Sequence, residues 1–358
     1  MRSRSLGIAA VGRALPRHYY DQEALLAAFE HEWAGRLFNP RRLPQLHRNV
    51  LVRGRHLALP IEEYRGLDSF TAANEAFIRC GLDLGAEAIT DGLEQAGLAP
   101  SDVDHLFFVS VTGIATPSID ALLVNRLGLR ADLKRTPIFG LGCVGGAAGV
   151  ARAADYLRAF PDQVAVLLSV ELCSLTLQRE DFSIANLIAS GLFGDGAAAV
   201  VMVGPEHSTG IGADGPEVVA TRSIFYPDTQ DVMGWKIGSD GFRVVLSADV
   251  PSVVRAHVRE NVDAFLGDCG LALDDISSWV AHPGGPRVLE AFAEALELPQ
   301  EAVARTWESL AELGNLSSAS VLMVLRDVMG NGRPPEGVWG LMVGMGPGFC
   351  SELVLLRW

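Results

Sequence analysis

With 43 acidic against 29 basic residues among 358, the chain carries a net charge of −14, a poor ligand for nucleic acid or an anionic membrane. Hydrophobic residues make up 49% and charged ones only 20%, enough to bury the core of one large domain or two fused halves. The five cysteines form no CxxC pair and no metal-like cluster, and an odd count without a secretion signal predicts a reducing, cytoplasmic setting.

The N-terminal apolar run is broken by glycine and reads as a first strand, not a signal peptide. No apolar run reaches the ~18 residues that a membrane span needs, so no stable membrane insertion is expected. Residues 33–61 contain no acid but hold Arg36, Arg41, Arg42, Arg48, Arg53 and Arg55 with His47 and His56. That stretch is either a solvated helix face or a docking patch for a phosphorylated small molecule. Helices are predicted over 70–96 and 119–127, with a buried strand over 106–112 between them. An apolar lead-in at 136–139 precedes a helix over 147–160, and strands follow at 164–170 and 197–203.

The Gly- and Pro-rich stretch 205–216 is the best seam, dividing the chain into 1–205 and 206–358. Beyond it come strands at 218–225 and 242–246 and a helix over 251–266 opened by Pro251. A strand at 278–281, helices over 287–296 and 317–329, and a hairpin of 338–343 with 351–356 complete the alternation, which is that of an α/β protein.

Cys143 lies in Gly140-Leu-Gly-Cys-Val-Gly-Gly-Ala-Ala-Gly149, between the lead-in strand and an Ala-rich helix. A thiol at a helix N-terminus faces unpaired N–H groups and the positive end of the dipole, which favour the thiolate. The same letters satisfy GxGxxG, and Glu171 closes the next apolar run somewhat late for the acid of a dinucleotide fold. A nucleophilic elbow, a dinucleotide fingerprint and a buried inert cysteine all fit these letters. A reactive cysteine needs a proton acceptor, and its acyl chemistry needs hydrogen-bond donors. His282 follows a strand and precedes Pro283-Gly-Gly-Pro286, a place where a ligand can approach an imidazole. Asn315, in Gly314-Asn-Leu-Ser-Ser-Ala-Ser320, suits either a helix cap or an amide donor to a carbonyl or enolate oxygen.

Gly142-Cys143, Leu192-Phe-Gly-Asp-Gly-Ala-Ala198, His282-Pro-Gly-Gly-Pro286, Gly314-Asn-Leu-Ser-Ser-Ala319 and Gly344-Met-Gly-Pro-Gly348 occur in that order. Together they resemble the type III polyketide synthases, the chalcone and stilbene synthase family of the thiolase superfamily, across most of the chain. The resemblance removes the dinucleotide reading and implies the thiolase fold, layered αβαβα with two similar halves. It implies a catalytic trio of Cys143, His282 and Asn315, in which His282 holds Cys143 as a thiolate that accepts an acyl group from acyl-CoA. Malonyl-CoA then loses carbon dioxide, and its enolate attacks the Cys-bound acyl group in a Claisen condensation that is repeated before cyclisation. CoA thioesters are the substrates, and no metal or redox cofactor is implied.

The family's gatekeeper Phe falls on Phe193, where an apolar face disfavours the malonyl carboxylate; an ordinary core Phe is the plainer reading. The second gatekeeper is replaced by Val244, with Phe242 nearby but expected to point elsewhere. Met345 stands at the variable place of the loop that borders the family's cyclisation cavity, and Ser317 is carried over beside it. Thr112, Cys173 and Thr176 map near the initiation cavity and resemble bacterial enzymes with a tunnel for fatty acyl chains; Cys173 also suits a small buried hydrophobe. Trp235 replaces a small cavity residue. Arg42, Arg48 and Arg53, with Gly284 and Gly285, are the expected CoA contacts. Cys80, Cys269 and Cys350 carry no chemical context.

The resemblance thus implies a homodimeric acyltransferase making alkylpyrones or alkylresorcinols from fatty acyl-CoA and malonyl-CoA, with an acyl carrier protein as an alternative donor. A single-condensation enzyme like ketoacyl synthase III and a non-catalytic thiolase-fold scaffold are the alternatives. His282-Pro-Gly-Gly and the near-complete Gly-Met-Gly-Pro-Gly loop weigh against the first, and the intact trio against the second.

Overall fold

In a computed structural model, residues 6–207 and 215–358 are described, so most of the expected seam at 205–216 lies outside the described residues. The first half comprises β1 (Gly7–Ala14), β2 (His18–Asp21), α1 (Gln22–Glu32), α2 (Arg42–Asn49), β3 (Gly54–Leu57), α3 (Phe70–Ala96), β4 (His105–Val109), α4 (Ile119–Leu127), β5 (Lys134–Ile138), α5 (Gly145–Ala159), β6 (Val164–Leu172), α6 (Ile184–Leu192) and β7 (Asp195–Val203). The second comprises β8 (Glu217–Phe225), β9 (Met233–Gly238), β10 (Gly241–Leu246), α7 (Val250–Asp268), β11 (Ile276–Ala281), α8 (Pro286–Ala295), α9 (Ala304–Leu313), α10 (Ser320–Gly330), β12 (Trp339–Gly346) and β13 (Cys350–Arg357).

Nine strands form one sheet in the order β11-β12-β13-β8-β1-β7-β6-β4-β5. The two halves of the sheet meet at a single registered pair, Gly7↔Glu217 of β1 and β8. Strands β6 and β7 are buried at every position and are apolar apart from Ser169, Glu171 and Asp195 at their site-facing ends, the pattern of a sheet covered on both faces.

Three apolar clusters show what covers them. Phe77, Leu84 and Ile89 of α3 pack with Leu106, Val166, Leu168 and Val201 on the outer face of the first half. Ala147, Val150 and Ala154 of α5 pack with Val321, Leu322 and Leu325 of α10 and with strand residues from both halves, including Val200, Val280 and Val354. Val254, Val258 and Phe265 of α7 pack with Ala291 and Phe292 of α8 and with Leu341, Leu353 and Leu355 on the far side. The order helix, sheet, helix pair, sheet, helix is the αβαβα layering of the thiolase fold.

Small residues set the spacing of these layers. A Cβ on Gly12 would stand 2.1 Å from the Ala88 carbonyl oxygen, so β1 touches the backbone of α3 directly. Ser69 caps α3 by accepting from the Ala72 N–H at 3.2 Å, and Gly97 ends it in the left-handed conformation. The predicted bounds of this helix are those observed. The strand predicted over 106–112 stops at Val109, because the Val111 N–H turns to the buried Glu171 carboxylate at 3.1 Å.

Candidate active site

Both central helices start from a one-turn elbow whose first residue is left-handed. Gly142–Val144 opens α5 with Gly142 at φ +55°, and Ser317–Ala319 opens α10 with Ser317 at φ +50°. At Gly142 a side chain is doubly excluded, since a Cβ would also lie 2.5 Å from Pro347 Cδ. The elbows bring their residues face to face. The Cys143 thiol is buried and lies 3.7 Å from Ser317 Oγ. Asn315 is fixed at both ends of its amide: Oδ1 accepts from the Ser317 N–H at 2.8 Å, and Nδ2 donates to the Gly284 carbonyl at 3.2 Å. Asn315 thus shapes the start of α10 and offers donors to the site, combining its two sequence readings.

His282 follows β11, where its N–H donates to the Val343 carbonyl at 2.9 Å. Its ring is buried, and neither nitrogen has a hydrogen-bond partner among the described residues. An imidazole with two unpaired nitrogens in an enclosed polar site is one that a substrate can engage. Burial pushes His282 down to about 3. Burial likewise pushes the Cys143 thiol up to about 12, with the nearby Glu171 charge acting in the same sense and hydrogen bonds from Ser317 and Asn315 opposing. Both shifts run toward the neutral forms, loss of solvent acting against the helix N-terminus.

Glu171, considered above only as the acid of a dinucleotide fold, is fully buried behind Cys143. One carboxylate oxygen accepts from Thr112 Oγ1 at 2.9 Å and the Val111 N–H at 3.1 Å, and the other accepts from the Ser318 hydroxyl. Burial raises its pKa to about 7 despite these donors. An acid ending an apolar strand is the one trace of it in the sequence.

Phe193 stands beside the trio. Its backbone makes a parallel bridge with Asn315, with the Asn315 N–H donating to the Leu192 carbonyl at 2.9 Å and the Gly194 N–H to the Asn315 carbonyl at 3.0 Å. Its ring faces a cavity of about 270 Å³ shared with Cys173, Thr176, Trp235 and Val244, so five of the expected cavity residues line one space. Trp235 and Val244 are cross-strand partners on the β9–β10 ribbon, and the Phe193 and Trp235 rings are 6.3 Å apart. Thr112 borders a neighbouring cavity of about 480 Å³ with Phe242, whose ring meets Trp235 edge-on at 6.2 Å. Phe242 therefore supports Trp235 from the next cavity and does not line the first.

Two groups of expected site residues lie outside both cavities. Met345 lines neither cavity: it is buried with Phe349 and Tyr226 in the core under α7 and α8, because its strand position turns it away from the site. The basic stretch is not one uniform patch. Arg42 and Arg48 are exposed along α2, and Arg53 pairs at the surface with Glu312 at 3.1 Å; none of the three lines either cavity. His47 and Arg55 are buried, and Arg55 lines the cavity of Phe193. Gly284 and Gly285 form the loop from His282 to α8, and a Cβ on Gly284 would lie 3.4 Å from the His282 ring. Among the described residues no three metal-ligating side chains converge, and no helix is long and apolar enough to cross a membrane.

Residues 2–206 match the N-terminal domain of chalcone and stilbene synthases, and residues 217–358 match the C-terminal domain. The chain belongs to the chalcone and stilbene synthase family. It is 54% identical to a 1,3,6,8-tetrahydroxynaphthalene synthase of Streptomyces peucetius subsp. caesius, over 99% of this chain and 94% of that protein. It is 37% identical to a putative chalcone synthase of Bacillus subtilis, with 98% of each chain covered. The crystal structure of a 1,3,6,8-tetrahydroxynaphthalene synthase from Streptomyces coelicolor A3(2), a bacterial type III polyketide synthase, superposes with a TM-score of 0.92 at 30% identity, covering 98% of this chain and 99% of that one. This type III polyketide synthase is therefore an acyltransferase that condenses acyl-CoA iteratively with malonyl-CoA.

Proposed function

We propose that Cys143 carries the growing acyl chain, and that His282 and Asn315 hold the malonyl thioester oxygen. The observation that carries this reading is the meeting of the two elbows, which brings the thiol to Ser317 beside Asn315, whose amide reaches the Gly284 carbonyl next to His282, the only buried imidazole with both nitrogens unengaged among the described residues. The Cys143 proton passes to His282 as the sulfur attacks the acyl-CoA carbonyl, and His282 returns it to the departing CoA sulfur, so that CoA leaves as the thiol. Loss of carbon dioxide from malonyl-CoA then leaves an electron pair on the thioester enolate, whose oxygen receives the Asn315 Nδ2 and His282 donors. The apolar Phe193 ring disfavours the carboxylate that is about to leave. Thiol, imidazole and amide run this chemistry, with CoA thioesters as substrates. Arg42, Arg48 and Arg53 hold the CoA phosphates outside the cavities, and residues 1–205 and 206–358 are the two halves that close on the site.

The product we propose is a compact polyhydroxylated aromatic. The relative at 54% identity is named for a naphthalene whose ring carbons are all accounted for by two-carbon units, leaving none for a long alkyl starter. Trp235 agrees, since its indole fills space beside Phe193. A fatty acyl starter closing to an alkylpyrone or alkylresorcinol is the second reading. It is favoured by the apolar wall of Leu25, Phe29, Leu57 and Ile61, along which the cavity runs outward beneath α1. We read the active form as a homodimer, because β5 is an exposed sheet edge and Phe139, beside the elbow, is 54% exposed.

The deciding experiment incubates the enzyme with malonyl-CoA alone and with acyl-CoAs of graded length, followed by mass spectrometry of the products. An aromatic product from malonyl-CoA alone supports the first reading. Alkyl-bearing products in higher yield establish the second. No malonyl-derived carbon–carbon bond with any CoA starter would leave delivery by an acyl carrier protein, or overturn the catalytic reading.

A further inference from the structure

Arg55, on the short strand β3, is 3% exposed and far from any catalytic motif in the sequence. Its Nη1 donates to the carbonyl oxygen of Phe193 at 2.6 Å, while Nε and Nη2 have no hydrogen-bond partner among the described residues. Its aliphatic stem runs between two glycines that flank the reactive segments. A Cβ on Gly314 would lie 3.1 Å from Arg55 Cδ, and a Cβ on Gly194 would lie 3.5 Å from Cγ. Gly314 precedes Asn315, and Gly194 follows Phe193. The counter-charge is Asp195, which accepts from the Ala58 N–H at 2.7 Å, from the Ser174 N–H at 2.8 Å and from the Ser174 hydroxyl. A buried cation held by one directional hydrogen bond and one neighbouring charge is costly for the fold, and a methionine or leucine would fill the same slot without that cost.

We propose that Arg55 is a positioning residue for decarboxylation: its stem and its bond to the Phe193 carbonyl set the Phe193–Asn315 bridge, so that the apolar gate and the enolate donor are placed as one unit. The inference rests on the roles given above to Phe193 and Asn315. Arg55 acts through them and touches no reacting atom. Phe193 and Asn315 come from different halves of the chain, and two backbone hydrogen bonds join them. The guanidinium is the side chain that fixes the carbonyl facing away from this bridge. Without it the gate is free to shift, and a misplacement of about 1 Å costs about a hundredfold in rate. Acyl transfer to Cys143 uses the elbow of α5 and is not set by this bridge.

The test compares Arg55→Met and Arg55→Lys with the parent enzyme in two reactions. One is loading of Cys143 from acetyl-, hexanoyl- and decanoyl-CoA, read by intact-protein mass. The other is carbon dioxide release from malonyl-CoA. Arg55→Met should load Cys143 within about threefold of the parent while carbon dioxide release falls by about a hundredfold. Arg55→Lys keeps the stem and the charge but not the planar fork, and should recover part of the loss. Arg55→Met leaves Asp195 uncompensated, so the double variant Arg55→Met, Asp195→Asn and melting curves for all proteins separate misfolding from mispositioning. Equal loss in both reactions, or parent-like carbon dioxide release in any folded Met variant, overturns the inference. If the parent loads Cys143 neither from these thioesters nor from malonyl-CoA, the catalytic reading fails, and this inference falls with it for a different reason.

Discussion

Replacing Glu171 with Gln should make the protein more stable at alkaline pH than the parent and equally stable in acid. Burial raises this carboxyl from an ordinary 4.5 to about 7, a preference for the neutral form of about 3 kcal/mol. Below pH 4.5 the group is protonated in both the folded and unfolded chain, so it adds no cost. As pH rises the unfolded chain ionises first, and the folded state binds the extra proton until pH 7. Stability therefore falls across that window, and the whole cost is present above it.

Gln cannot ionise, and it suits the site: its oxygen can accept from Thr112 and Val111 as Glu171 does, and its NH2 can donate to the Ser318 hydroxyl. Asp195 is also pushed up, to about 6, but it is common to both proteins and cancels in their difference. Thermal melts of the two proteins from pH 5 to 8.5 should thus diverge, the variant gaining the equivalent of about 3 kcal/mol by the alkaline end. The Cys143 thiol gives a second readout, since the Glu171 charge helps keep it protonated. Iodoacetamide should label Cys143 at lower pH in the variant. Parallel melting profiles across the window, with unchanged labelling, would refute a buried titrating carboxylate beside the thiol.

Further outcomes follow from the same geometry. Asn315→Ala should lower carbon dioxide release from malonyl-CoA by about a hundred- to a thousandfold, as loss of an oxyanion donor does, while Cys143 still loads; a loss under tenfold would assign the enolate to another donor. Gly142→Ala meets Pro347 and a left-handed backbone, and should cost about 2 kcal/mol in urea unfolding with slowed Cys143 acylation. His282, held at about 3, stays neutral above pH 5, so malonyl-CoA decarboxylation should show no acid limb near pH 6.5; an inflection there that disappears in His282→Gln would contradict this. Val244→Phe narrows the cavity beside Trp235 and should shift products, measured by mass spectrometry, toward fewer condensations.

What was legible in the sequence had local cause. Cys143, His282 and Asn315 each sit in a glycine context that a tight turn requires, and α3 shows both its cap and its stop. Phe193, Trp235 and Val244 share a cavity as expected, because strand pairing and motif order carry over between relatives. Glu171 and Arg55 were not assigned their places, because burial of a charge is a tertiary fact that no local pattern records. Arg55 was hidden among surface arginines, and Glu171 ended an apolar strand like any solvent-facing acid. Met345 lies outside both cavities for another reason: the strand places its side chain in the core.

The β9–β10 ribbon lies outside the nine-stranded sheet, and Gln178 ties it down by donating to the carbonyls of Asp240 and Phe242 at 3.0 and 3.2 Å. It contributes Trp235 and Val244 to the cavity wall but nothing to either elbow. Shape and reactivity are thus carried by separable parts of one molecule. A lineage can revise the ribbon, and with it the wall of this cavity, while the elbows stay where they are. Diversification of products then proceeds by substitutions that each leave a working enzyme.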